Sequence, residues 1–375
     1  MIKRFYANLN TYLKPQKALI IFGPRQVGKT TLLESFLKKT KLKYKLDSGD
    51  NIRVQNLLGS QDFDKILGYA QGYELIVIDE AQQIPNIGMA LKILVDQVPN
   101  LSIIATGSSS FDLAQSVGEP LTGRKRTLTL YPIAQLELLN KNNKHELREQ
   151  LEDFLIFGSY PAVVTAKTRQ EKIDILTELV DSYLLKDILS IERIKKSETL
   201  FNLVKLLAFQ VGQLVSLNEL ATQLRIDIKT VSRYIDLLEK SFIIYKLGGF
   251  SGNLRNEITK KNKYYFYDLG VRNAVVSQFN PLEERSDIGQ LWENFVFIER
   301  LKNTSYKSFY GNRYFWRTYQ GQEVDFIEEI ENKLTAFEAK WSSTKSVSVP
   351  SSWKEAYPNA TFHVITPENY FEYIV

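Results

Sequence analysis

The chain has 375 residues, of which 44% are hydrophobic, enough for two or three domains with sizeable cores. It contains no cysteine and only two histidines, His145 and His363, which excludes disulfides, thiolate zinc sites and cysteine nucleophiles and leaves little material for histidine-based metal or triad chemistry. The formal charge of +5, set by 48 cations against 43 acids, permits a polyanionic partner without demanding one.

The opening residues Met1-Ile2-Lys3-Arg4-Phe5-Tyr6-Ala7-Asn8 lack the apolar centre of a signal peptide, and no later segment approaches the length of a membrane span. The expectation is a cytoplasmic protein with no membrane partner. The apolar run Ala18-Leu19-Ile20-Ile21-Phe22 reads as a buried strand, and Gly23-Pro24-Arg25-Gln26-Val27-Gly28-Lys29-Thr30 after it matches the phosphate-binding pattern G-x-x-x-x-G-K-[ST]. A triphosphate needs converging backbone N–H groups, and a glycine-rich turn opening a helix can aim them inward. The residues expected around ATP are therefore Gly23, Pro24, Arg25, Gln26, Val27, Gly28, Lys29, Thr30 and Thr31. Lys29 would reach the β- and γ-phosphates and Thr30 would offer its hydroxyl to Mg²⁺.

Glu74-Leu75-Ile76-Val77-Ile78-Asp79-Glu80 is a continuous apolar strand ending in two acids, as expected of a central parallel strand whose carboxyl end faces a ligand crevice. Asp79 is the candidate Mg²⁺ carboxylate, acting through the metal's waters. Glu80 is placed to polarise a water for attack on the γ-phosphate, although binding without hydrolysis remains an alternative. A third strand, Leu101 to Ser110, ends in small hydroxyl residues that would sense the γ-phosphate or form a plain polar turn.

Between His145 and Ile194 apolar residues recur at helical spacing, broken at Gly158-Ser159-Tyr160-Pro161, and Glu192 to Ser197 reads as a charged connector. A helix-turn-helix pattern follows. Asn218 to Leu224 is the first helix and Lys229 to Lys240 the second, with Val231, Ile235 and Leu238 on the inner face and Lys229, Ser232, Arg233 and Asp236 outside. Two strand-like runs, from Phe242 to Leu247 and from Tyr264 to Tyr267, flank a loop carrying Arg255, Lys260, Lys261 and Lys263. Helices followed by a hairpin with a basic loop make a winged helix, suited either to DNA phosphates or to a protein partner. The candidate DNA contacts are Lys229, Arg233, Arg255, Lys260, Lys261 and Lys263.

In the last ninety residues, Arg313 to Tyr319, Glu323 to Ile327 and Leu334 to Trp341 read as a three-stranded meander, preceded by a helix at Leu291 to Phe297. Glu338 and Lys340 are two apart, so both leave one face of their strand.

Taken in order, the first segments resemble the AAA+-like ATPases of the additional-strand P-loop class, and in particular a bacterial and archaeal group carrying G-P-R-Q-x-G-K-T-T, a strand ending I-D-E, a strand ending T-G-S-S-S, and L-x-G-R ahead of Y-P. Here these are residues 23–31, 78–80 and 106–110, with Leu121-Thr122-Gly123-Arg124 before Tyr131-Pro132. The resemblance spans the whole chain and implies that Arg124 is a charge-stabilising arginine, acting in cis or on a neighbour's nucleotide. The group's arginine-Asp pair after Tyr183 appears as Lys186-Asp187, which departs from its lid sensor. The tail resembles the PD-(D/E)xK nuclease superfamily. That likeness implies Asp325 and Glu338 as Mg²⁺ ligands, Lys340 as the water-orienting cation and Glu293 as a supporting acid. Val324 stands where the superfamily often has proline, Glu331-Asn332-Lys333 repeats the E-x-K spacing, and Asp325 facing Lys340 is equally compatible with a salt-bridged sheet pair.

The expected architecture is α/β: a P-loop AAA+-type ATPase core over 1–140, a helical lid over 141–196, a winged helix over 197–284 and a restriction-endonuclease-like domain over 285–375. The expected function is a Mg²⁺-dependent ATPase working on DNA, branched DNA included, and self-associating. The alternatives are a nucleotide-controlled switch that binds protein partners and an ATP-regulated metal-dependent nuclease.

Overall fold

A computed structural model describes residues 2–107, 121–181, 197–250, 261–342 and 348–375. The Ser108-Ser109-Ser110 end of the third strand, Tyr183, Lys186-Asp187, Arg255 and Lys260, and the connector from Glu192 through Lys196, lie outside the described residues. Lys3–Pro132 with Lys240–Phe242 form one compact unit, and Ile133–Glu239 with Ile243–Val375 form another. Among the described residues no helix is long and apolar enough to cross a membrane.

In the first unit, β1 (Ala18–Phe22), β2 (Tyr44–Ser48), β3 (Leu75–Asp79), β4 (Ser102–Gly107) and β5 (Lys125–Thr129) form a parallel sheet in the order β2-β3-β4-β1-β5. β1 is buried along its whole length and β3 up to Ile78, which is why both read as unbroken apolar runs rather than as alternating ones. The α-helices among the described residues of this unit are α1 (Lys29–Leu37), α2 (Ile52–Leu58), α3 (Phe63–Ala70) and α4 (Ile87–Gln97). Asn51 and Asp62 cap α2 and α3 by accepting from the backbone N–H of Arg53 and Lys65. One core cluster joins Ile20, Ile76, Ile78 and Ile103 of the sheet to Ile66, Leu91 and Leu94 of the helices. Each such side chain contributes about 1.5–3 kcal/mol on burial.

Phe22 pairs with Gly107 and Ile78 with Ala105, so β1, β3 and β4 end along one edge of the sheet. β1 also pairs in parallel with β5, Ala18 opposite Lys125, and the Ala18 N–H donates to the Arg124 carbonyl at 2.9 Å. Arg124 therefore stands at the opposite edge, about 16 Å of strand away from the loop that follows Phe22.

In the second unit the α-helices among the described residues are α5 (Gln135–Leu138), α6 (Lys144–Glu149), α7 (Leu151–Phe157), α8 (Pro161–Thr165), α9 (Arg169–Leu179), α10 (Ser197–Phe209), α11 (Leu217–Leu224), α12 (Ile228–Lys240), α13 (Leu269–Val275), α14 (Ile288–Tyr306), α15 (Ser351–Ala356) and α16 (Phe371–Ile374). The turn between α11 and α12 is made by Arg225 at φ +54° and by Asp227, which accepts from the Thr230 N–H at 2.8 Å. α12 buries Val231, Ile235 and Leu238, the face its spacing predicts, together with Tyr234 and Leu237.

β6 (Ile244–Gly249), β7 (Lys263–Phe266), β8 (Asn312–Arg317), β9 (Glu323–Ile330), β10 (Lys333–Ala339) and β11 (Thr361–Ile365) form a six-stranded sheet in the order β11-β10-β9-β8-β6-β7. The antiparallel meander β8-β9-β10 is present. It is extended by β11, parallel to β10, and by β6, which pairs with β8 through Gly248 and Gly249. The hairpin expected to form a separate wing thus continues the sheet of the tail. α14, nineteen residues long, lies against this sheet: Phe297 meets Phe326 edge-on at 5.4 Å and stacks on Tyr265 at 4.4 Å, and buried Trp292 donates to the Ile365 carbonyl at 3.2 Å.

Candidate functional site

At the carboxyl edge of the first sheet the chain must leave β1 and turn at once into α1. Gly23 makes the first bend at φ +155°, and a Cβ there would lie 2.1 Å from the Leu130 carbonyl oxygen. Gly28 caps α1 at φ +91°, a conformation that strains any other residue. Between them Val27 is fully buried and Gln26 takes φ +60°, so Gly23 through Thr31 form a loop closing on the helix start.

Lys29 is 5% exposed and donates to the carbonyls of Gly23 and Pro24, each at 2.9 Å. Burial pushes its ammonium down to about 8, while Glu80 and Asp79 pull it upward and Arg25 adds repulsion. Two of its three N–H donors are used within the loop, which leaves one to meet an incoming anion.

Thr30 donates its hydroxyl to Asp79 Oδ2 at 2.7 Å, and Thr106 donates to Asp79 Oδ1. The Glu80 N–H also donates to Asp79 Oδ1, at 3.2 Å, and to the Thr106 hydroxyl at 3.2 Å. Asp79 is therefore held from both sides. Glu80 itself turns at φ +50°, a position that costs about 1 kcal/mol or more for a non-glycine residue. Gln82 donates to Glu80 Oε2 and so fixes the carboxylate at the strand's end. Lys29, Thr30, Asp79 and Glu80 come together at the carboxyl edge of the sheet. A hydroxyl and a carboxylate side by side, beneath a helix N-terminus, suit a hard cation and a phosphate chain, so these residues fit Mg²⁺ and ATP.

Thr106 was expected only as part of a hydroxyl-rich strand end, whereas Arg4 carried no signal at all. Arg4, 9% exposed, donates to the carbonyls of Val27 and Tyr131, the latter at 2.6 Å, and ties the loop to the second residue after β5. Arg124 is not part of this constellation. It pairs through Nε with Asp96 Oδ1 at 2.5 Å, with 43% of its side chain exposed, at the far edge of the sheet.

In the second unit Glu293 projects from α14, Asp325 from β9, Glu338 from the end of β10 and Lys340 from just beyond it. Lys340 donates to Glu338 Oε1 at 2.6 Å. Asp325 Oδ2 accepts from the Ala339 N–H at 2.8 Å, taking up the ladder where backbone pairing stops at Phe337 and Phe326. Burial and the Asp325 charge push both Glu293 and Glu338 well above the usual carboxylate range, against the pull of Lys263 and Lys340 respectively.

Lys263 corrects the expectation placed on it. It was expected on an exposed basic wing, yet it is 1% exposed, with Nζ 2.9 Å from Glu293, 2.6 Å from Glu323 and 3.8 Å from Asp325. It opens β7, whose register against β6 turns it inward, and it cannot meet a phosphate from there. Lys229, Arg233 and Lys261 are exposed. Among the described residues no three His, Cys, Asp or Glu side chains come together to hold a metal ion. The tail carboxylates do not fit Mg²⁺, because the Lys263 ammonium already stands among them.

Residues 15–139 match the family described as AAA domain, 148–282 a domain of unknown function numbered 8612, and 288–372 a domain of unknown function numbered 4143. An uncharacterised protein of Mycobacterium tuberculosis is 27% identical over 91% of this chain and 74% of its own length. One of Haemophilus influenzae is 27% identical over 85% and 82%, and one of Methanocaldococcus jannaschii 26% over 86% and 74%. Among solved structures, the Thermotoga maritima RuvB Holliday junction branch migration motor aligns at 16% identity and TM-score 0.29 over 61% of this chain and 82% of that one. A signal transduction ATPase of the STAND class from Pyrococcus horikoshii aligns at 11% and 0.28 over 80% and 45%. Alignments at this level carry no functional weight. The family match over residues 15–139 and the loop geometry agree on an AAA-type, ATP-binding domain.

Proposed function

We propose that this chain, with an AAA domain as its first unit, is a Mg²⁺-dependent ATPase whose hydrolytic site is completed by Arg124 from a second copy. The observation that carries the reading is the pinned Asp79, held by Thr30 and Thr106 beside Lys29 and Glu80. Thr30 and Asp79 would hold Mg²⁺, which when bound neutralises charge between the β- and γ-phosphates. Loop amides and Lys29 would orient the triphosphate, and Glu80 would accept a proton from the attacking water. Lys29→Ala is expected to abolish nucleotide binding, measured with a fluorescent ATP analogue; binding at wild-type affinity would overturn the assignment.

The trans role of Arg124 is supported by topology: a residue at the amino edge of a parallel sheet is remote from the loop at its carboxyl edge. Arg124→Ala and Lys29→Ala proteins, each inactive alone, are expected to recover ATP turnover when mixed, since one supplies the nucleotide site and the other the arginine. Mixed assemblies with no recovery would return Arg124 to a structural partner of Asp96.

For the partner, the reading that best suits the second unit is DNA bound by the α11-α12 pair as a winged helix. Lys229 and Arg233 are exposed one turn apart on α12, with Lys261 beside the hairpin. Asp236 on the same face moderates their charge, so contacts of this kind are with phosphates and are strongly salt-dependent.

A further inference from the structure

The tail cluster is unusual in holding a lysine where its carboxylates converge. Glu293 from α14, Glu323 and Asp325 from β9 and the neighbouring Glu338 from β10 would, without a counter-ion, be four anions in a largely buried space. Lys263 Nζ lies within 2.6–3.8 Å of the first three. Arg317 pairs with Glu323 Oε2 at 3.2 Å and Lys340 with Glu338 Oε1 at 2.6 Å. Three cations thus face four carboxylates, a near balance that a divalent ion would overshoot. The ammonium's donors go to Glu293 and Glu323, and the Tyr265 hydroxyl donates to the same Glu293 oxygen at 2.6 Å. Asp325 keeps one oxygen for the Ala339 N–H.

We infer that Lys263 is a built-in cation occupying the position a metal would take, so that the second unit keeps its carboxylate cluster without binding a divalent ion. The ammonium is supplied by the first residue of β7, which makes it a fixed part of the sheet rather than an exchangeable ligand. It ties β7 to α14 and β9, three elements distant in sequence. The lysine is 1% exposed, so displacing it would bury an unpaired ammonium or require β7 to leave the sheet, and either is costly. Burial works against the charge, but Glu293, Asp325 and Glu323 hold Lys263 protonated above the ordinary lysine range.

The test uses the full chain carrying Asp79→Asn, without nucleotide, so that the first unit contributes no metal site, and titrates it with Mn²⁺ followed by electron paramagnetic resonance. With Lys263 intact, no stoichiometric Mn²⁺ is expected. Lys263→Met, which keeps the stem and removes the charge, is expected to gain one equivalent, lost again when Asp325→Asn is added. Stoichiometric binding to the Lys263 protein that disappears with Asp325→Asn would overturn the inference, as would a folded Lys263→Met protein that binds none. Should Lys263→Met fail to fold, the comparison between the Lys263 protein and its Asp325→Asn variant decides the question alone.

Discussion

Arg4 shapes the nucleotide loop from outside the motif. Its guanidinium spans the Val27 and Tyr131 carbonyls, two charge-assisted hydrogen bonds of about 1.5–3 kcal/mol each. Arg4→Met is expected to weaken nucleotide affinity about tenfold or more while Lys29 and Asp79 remain intact, as read by calorimetric titration. An unchanged dissociation constant would make Arg4 a packing residue only. At Gly23 the constraint is steric: a methyl group would lie 2.1 Å from the Leu130 oxygen, and Gly23→Ala is expected to cost about 1–3 kcal/mol and to lower the melting temperature. Asp287 gives a pH signature. Burial pulls its carboxyl upward, but Arg285 and Arg272, each 2.8 Å away, outweigh this and hold it below the ordinary 3.8. A depressed acid stabilises the fold above its unfolded value and loses that contribution as pH falls through the folded value. The acid limb of the melting curve, below about pH 4, is expected to flatten in Asp287→Asn; an identical limb would remove Asp287 from the account.

At the scale of elements, legibility followed burial. β1 and β3 announced themselves because both faces are covered, so apolar residues run together, five in β1 and four in β3. β2, Tyr44-Lys45-Leu46-Asp47-Ser48, stayed silent because it is an edge strand with no buried residue; its Lys45 lies over the Tyr69 ring at 3.8 Å, and Asp47 accepts from the Tyr69 hydroxyl. α12 was legible from its one-sided face, whereas α14 was seen only at Leu291 to Phe297 because it is buried around much of its circumference and shows no clean stripe. Sequence distance hid the rest. Nothing at Lys263 indicates that its partners lie 30 to 62 positions onward, and nothing local marks Arg4. The packing of α13 on α7 offers a direct check: a Cβ on Gly270 would lie 2.0 Å from the Phe157 carbonyl oxygen. Gly270→Ala is therefore expected to destabilise the second unit by about 1–3 kcal/mol, and a melting temperature equal to wild type would show that the two helices are not held so closely.

For the whole molecule, an AAA-type domain is joined in one chain to a second unit in which hairpin and tail share a single sheet. If that unit binds DNA through Lys229 and Arg233, duplex DNA is expected to raise ATP turnover, an effect that falls steeply with salt and is lost in Lys229→Ala/Arg233→Ala; turnover indifferent to DNA at low salt would favour the protein-partner alternative. Everything at this scale depends on hydrolysis at the edge where Lys29, Thr30, Asp79 and Glu80 meet. The most direct measurement is steady-state ATP turnover, alongside ATP affinity, for Glu80→Gln. Affinity is expected to stay near wild type while turnover falls by about 10²–10⁴-fold; a Glu80→Gln protein that hydrolyses ATP at the wild-type rate would contradict the account.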